Sequence, residues 1–167
     1  MRILLQRVTR ARVTVQAEVI GSIGQGLLAL VGIAHGDDAS TCTAMAQKCI
    51  GLRIFEDEAG LMNRDILTVG GAILAVSQFT LFADCRKGRR PYFGGAARGD
   101  SAQELFELFV SRLRQHGVTC ETGVFGAPMQ VELVNDGPVS IWLDSLELAR
   151  PRRAATTLCS TRSSDDS

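Results

Sequence analysis

Residues 27–34, Leu27-Leu28-Ala29-Leu30-Val31-Gly32-Ile33-Ala34, form an apolar run of strand length with no position suited to face water. A strand apolar throughout is covered on both faces, so the run predicts a central strand. On its N-terminal side, residues 2–8 and 12–23 read as an antiparallel opening, with Val13 and Val15 alternating with polar neighbours and a turn near Ala17-Glu18. On its C-terminal side a polar turn, His35-Gly36-Asp37-Asp38, leads into Cys42, Met45, Ala46, Cys49 and Ile50. Those five recur at helical spacing, with Asp38 or Ser40 as the N-cap.

A second helix is expected where Ser101 and Glu104 spell a capping box, Leu105, Phe106, Phe109, Val110 and Leu113 make the stripe, and Gly117 supplies the stop. Residues 72–76, 129–134 and 139–143 complete the strands. Hairpins mixed with helical crossovers predict an α+β (mixed α/β) single domain, a strand-rich sheet or barrel with two main helices. The domain is expected to span residues 1–148. From residue 149 to 167 the chain turns to Arg, Ser, Thr and Ala and is expected to be a disordered polar tail.

The 167 residues suffice for one sizeable core, and no apolar run reaches the length of a membrane span. The N-terminus lacks a signal-peptide pattern, so the mature chain is expected to start near Met1 in a cytoplasmic protein. Five cysteines, an odd number without CxxC spacing, speak for reduced thiols and against a zinc ribbon. Neither metal nor cofactor is expected. Formal net charge is zero, yet Arg86-Lys87-Gly88-Arg89-Arg90 places four cations in five residues, a pattern that fits either a solvated loop or a phosphate contact.

Two segments follow strand-like runs and could present polar groups at strand ends: Ser77-Gln78-Phe79-Thr80-Leu81 and Asn135-Asp136-Gly137-Pro138-Val139-Ser140. Ser77 and Thr80 carry hydroxyls, but a nucleophile needs a base within hydrogen-bond reach. The two histidines serve poorly: His116 closes a helix, where a cation is favoured anyway, and His35 sits in an acidic turn. No GxSxG elbow surrounds either hydroxyl. The second segment is in the first place an Asn-Asp-Gly-Pro turn.

Both segments resemble the two signatures of the D-aminoacyl-tRNA deacylases, SQxxx and GPxT, with Ser140 where the second normally has Thr. The resemblance extends over residues 1–145, including Met1 to Val15, Gly24 to Leu28, Met62-Asn63 and Arg86 to Pro91. It implies an ester hydrolase that frees D-amino acids, and glycine, from tRNA in translation quality control. Backbone N–H groups around Phe79, within Ser77, Gln78, Phe79 and Thr80, would stabilise the oxyanion while the substrate's own ribose 2′-OH helps activate water. It further implies a homodimer with sites at the interface. There a cis Gly137-Pro138 pair from the partner subunit receives the α-ammonium and excludes L side chains, with Arg7 holding it from below. Phe125, Gly126 and Met129 resemble the pocket for the terminal adenine, and Pro128 stands where relatives often have Asp. Arg86, Lys87, Arg89 and Arg90 would meet acceptor phosphates. Two other readings compete. One is an editing paralogue with relaxed chirality acting on a small L-aminoacyl-tRNA; the other is a non-hydrolytic nucleic-acid-binding protein that uses the basic, Ser/Thr-rich tail.

Overall fold

The computed structural model describes residues 1–150; the expected tail, apart from its first two residues, lies outside them. The central run forms β3 (Gly26–Gly32), and its side chains are buried on both faces as the sequence predicts. Leu27, Ala29 and Val31 join the larger core beneath the helices, whereas Leu28 joins Val8, Val13, Leu74 and Val76 in a smaller core on the opposite face. Residue alternation therefore divides one strand between two cores.

β1 (Arg2–Val15) is longer than expected, because residues 9–11 continue the strand between the two predicted runs. It pairs antiparallel with β3 from Arg2 opposite Gly32 to Val8 opposite Gly26, then with β2 (Glu18–Ile23). The turn is made by Gln16 and Ala17, both at positive φ. β3 pairs in parallel with β6 (Ala72–Ser77), and β6 with β7 (Thr119–Thr122), a strand the sequence reading omits. The described strand order is β2-β1-β3-β6-β7, with β8 (Gln130–Asp144) on the other edge of β1. The sheet is nearly closed: a side chain at Gly21 on β2 would lie 2.8 Å from the Thr122 carbonyl of β7. A small hairpin, β4 (Phe55–Glu56) with β5 (Met62–Arg64), and the short α3 (Ser145–Leu148) complete the elements.

Helix α1 (Ala39–Gly51) buries the five residues of its predicted stripe. Asp38 is its cap: the carboxylate accepts the Thr41 N–H at 2.8 Å, and this bond with the Ser40 and Thr41 hydroxyls holds its pKa down at about 2. Helix α2 (Asp100–Gln115) buries Ala102, Phe106, Phe109, Val110 and Leu113, with Leu105 only partly buried. Its N-terminus differs from expectation. Gly99, at φ +72°, is the cap residue, and its carbonyl accepts the Ala102 and Gln103 N–H groups. Ser101 thus lies inside the first turn and the capping box does not form. Asp100 in that turn complements the helix dipole instead. The C-terminus follows the sequence, with His116 as cap and Gly117 at φ +86°. No helix of the described residues is long and apolar enough to cross a membrane.

The main correction concerns residues 129–143, which are not two strands joined by a turn. Both halves pair with β1: Gln6 lies opposite Ser140 and Val8 opposite Asn135. Arg7 alone therefore faces Asp136–Val139. The Asn-Asp-Gly-Pro run is an excursion within one strand, because a chain reversal would have cost the ladder on one side.

Candidate active site

Parallel pairing of β3 and β6 ends with Val31 opposite Ser77, and this register delivers the first motif to the rim of the sheet. The Gln78 N–H donates to the Val31 carbonyl at 2.7 Å, after which the chain enters a 3₁₀ turn, Phe79–Phe82. The first hydrogen bond of this turn runs from the Leu81 N–H to the Gln78 carbonyl. The N–H groups of Phe79 and Thr80 precede it and have no partner within the turn, so they are available to a developing negative charge.

These residues open onto a cleft of about 540 Å³. Ser77, Gln78 and Phe79 line one wall; Phe125, Gly126 and Met129 line another, so both sequence-predicted groups meet in one place. Met129 is set by a glycine: a Cβ at Gly123 would collide with its sulfur. Phe125 is set by Phe106 of α2, with ring centroids 6.0 Å apart. Thr80 is not among the lining residues; its hydroxyl accepts a bond from the Gln78 side-chain amide. Pro128 is exposed, while its neighbours Ala127 and Met129 face the cleft. The sequence reading missed Arg98 and Gly99, which lead into α2. Their one signal was their place before a helix start. Arg98 is the sole charged side chain lining the cleft among the described residues, and neither histidine lines it.

The second motif and Arg7 form a separate cluster. Arg7 is 4% exposed, and each arm of its guanidinium has an acceptor. Nε donates to the Asp136 carbonyl at 3.1 Å, Nη1 to the Ile54 carbonyl at 2.7 Å and Nη2 to Glu56 Oε1 at 3.4 Å. A side chain at Gly137 would lie 3.1 Å from Nη2, so the guanidinium supports the excursion directly beneath that glycine. The Gly137–Pro138 bond is cis, and both residues are exposed. From the other side Asn135 bridges the loop, its Oδ1 accepting the Val139 N–H at 3.0 Å. The Ser140 hydroxyl accepts from Gln6 at 3.3 Å and Asn135 at 3.4 Å, contacts that use the hydroxyl Ser shares with Thr. None of Arg7, Gly137 and Pro138 lines the cleft of the same chain.

The basic pentapeptide lies in a loop closed by paired backbone bonds between Asp84 and Tyr92, at 2.7 and 2.9 Å. Arg86 is already engaged: its hydrogen bonds to Asp84, at 2.8 and 2.6 Å, hold that carboxyl down at about 2. Lys87, Arg89 and Arg90 project into solvent.

A family model described as D-Tyr-tRNA(Tyr) deacylase matches residues 4–144. A D-aminoacyl-tRNA deacylase of Thermomicrobium roseum is 62% identical over 148 residues, covering 89% of this chain and 96% of its own. One of Thermus aquaticus is 54% identical, over 88% and 97%. Among solved structures, the c-Myc DNA Unwinding Element Binding Protein superposes with a TM-score of 0.82 at 40% identity, over 86% of this chain and 98% of that one. A probable eukaryotic D-amino acid tRNA deacylase, at 15% identity and a TM-score of 0.72, shares the fold. With sequence relatives and fold in agreement along almost its whole described length, the chain belongs to the D-Tyr-tRNA(Tyr) deacylase family.

Proposed function

We propose that this chain hydrolyses the ester joining a D-amino acid, or glycine, to the 3′-terminal ribose of tRNA, and rejects L-aminoacyl esters. The observation that carries the reading is the meeting of Ser77-Gln78-Phe79 with Phe125, Gly126 and Met129 on one cleft. An aromatic ring and a thioether suit a flat, apolar nucleobase. With the base held there, the ester reaches the free N–H groups of Phe79 and Thr80. These stabilise the oxyanion, and the neighbouring ribose 2′-OH takes the place of a general base, of which the described residues lining the cleft include none.

Selectivity comes from a second copy of the chain. The exposed Gly137–Pro138 excursion of one protomer enters the cleft of its partner, and its carbonyls receive the substrate ammonium. A rigid backbone wall next to a fixed ammonium and ester leaves no room for an L side chain, whereas a D side chain points away. Two features support this arrangement: the excursion is presented to solvent, and it is buttressed by Arg7 away from the cleft of its own chain. The enzyme works as a homodimer in the cytoplasm, where aminoacyl-tRNA is made, and the cations beyond Arg86 hold acceptor phosphates.

The test is hydrolysis of matched D-Tyr-tRNA and L-Tyr-tRNA, with L-Ala-tRNA as the probe for relaxed chirality. D-Tyr-tRNA is cleaved and L-Tyr-tRNA spared; Thr80→Ala retains substantial activity; a D-Tyr-tRNA ending in 2′-deoxyadenosine reacts far more slowly. Equal cleavage of both enantiomers, or preferred cleavage of L-Ala-tRNA, overturns the chiral reading. Nucleic-acid binding without any hydrolysis favours a role of the kind named for the c-Myc DNA Unwinding Element Binding Protein.

A further inference from the structure

Tyr92 is the most exposed aromatic ring of the described residues, at 70%. Its position is nonetheless fixed, because its N–H and carbonyl both bond to Asp84 at the base of the cationic loop. The ring is folded over Gly94, where a Cβ would overlap the ring carbons and the hydroxyl. Backbone therefore backs one side of the ring while the rest stays open to solvent. The next ring along the chain, Phe93, packs edge-on against Phe79 with centroids 5.1 Å apart, and Phe79 lines the cleft. A short stretch of chain thus runs from exposed cations, through an open ring, to the aromatic pair at the cleft.

An apolar protein partner is a poor match for this ring, since docking would strip water from Lys87, Arg89 and Arg90. A polyanion with flat bases matches both features, because bases stack on aromatic faces while cations meet the phosphates. We propose that Tyr92 is a stacking platform for an unpaired base of the tRNA 3′ end, upstream of the terminal adenosine. The proposal rests on reading the cleft as the site of that adenosine. It adds a contact that holds the single-stranded end without taking part in the chemistry.

The probe is an unacylated acceptor-stem hairpin with a 3′ overhang, either intact or with abasic positions in the overhang, and binding is measured at fixed salt. Tyr92→Ala is expected to weaken the intact hairpin by about 5- to 140-fold and to leave the abasic one unchanged. Tyr92→Trp and Tyr92→Phe keep the intact affinity. Gly94→Ala, which displaces the ring, reproduces the loss. In deacylation, Tyr92→Ala raises KM with kcat unchanged. A change of less than twofold, or equal losses on intact and abasic hairpins, overturns the proposal. Because binding is read without hydrolysis, a wild-type protein that binds through Tyr92 yet cleaves no D-aminoacyl-tRNA defeats the activity reading and leaves this one standing.

Discussion

Replacing Arg7 by Met keeps an apolar stem out to about the position of Nε and removes the guanidinium beyond it, so the loss is chiefly that of the hydrogen bonds. The Glu56 and Asp136 carboxylates regain water in the variant, being 57% and 40% exposed, so their ion pairs with Arg7 add little to the cost. The acceptors dominate. The Ile54 carbonyl loses a 2.7 Å bond in a buried setting, and an orphaned buried acceptor costs about 1–3 kcal/mol. The Asp136 carbonyl sits in a partly exposed segment and recovers part of its loss. Together these give about 2–4 kcal/mol, which for a domain of this size lowers Tm by roughly 4–16 °C.

The functional effect is expected to be larger than the stability loss alone would produce, because Arg7 also supports Gly137 from beneath. Displacing a positioning element by ~1 Å can cost about 100-fold in rate, so the ratio of D-Tyr-tRNA to L-Tyr-tRNA hydrolysis should fall at least about tenfold. Both quantities are read on one preparation, by thermal unfolding and by the paired deacylation assay well below Tm. Arg7→Lys keeps the charge but has no planar fork to serve both carbonyls, and is expected to recover less than half of the stability. A Met variant within about 0.5 kcal/mol of wild type, with its enantiomer ratio intact, would refute the reasoning.

Three further outcomes follow from other contacts. Changing Lys87, Arg89 and Arg90 together to Gln is expected to reduce the slope of log affinity against log salt by about 2–3, whereas Arg86→Gln, whose cation already serves Asp84, changes it by less than one such contact; equal effects would contradict the division of the loop. A methyl at Gly32 would lie 2.9 Å from the Phe82 ring and 3.0 Å from the Gln78 carbonyl, so Gly32→Ala is expected to lower kcat about tenfold or more by shifting the first motif, with an overpacking cost of about 1–3 kcal/mol in urea unfolding. Burial pushes the Cys49 thiol up to about 12 and those of Cys42 and Cys120 to about 11, above the unfolded value of about 8.5. These raised values contribute stability that is complete below about pH 8.5 and lost as pH rises towards 11–12, so the urea midpoint should drop between pH 8 and pH 10.5, less so in Cys49→Ala. A midpoint that stays flat over that interval is what exposed thiols would give, and would contradict their burial.

What was legible in the sequence was whatever a local pattern could dictate. The apolar run 27–34 and the stripe Cys42 to Ile50 each required one kind of surroundings, and the fold supplies them. Ser101 with Glu104 also formed a valid local pattern, but Gly99, with its positive φ, begins the helix earlier, and a glycine that can enter from that conformation leaves the serine nothing to cap. The excursion at Asp136–Val139 was hidden for a different reason. Asn-Asp-Gly-Pro reverses a chain in most settings, and only the pairing of both flanks with β1 turns it into an excursion, a fact held in the register of residues 2–14 rather than in the tetrapeptide. Arg7 and the excursion are thus one feature written in two distant places. A buried arginine on the strand face it shares with Ile3 and Leu5 makes sense only opposite a partner that leaves the ladder, and carbonyls that leave the ladder stay ordered only opposite such a donor. Substituting either one should therefore cost nearly as much as substituting both, a non-additivity that unrelated neighbours would not display.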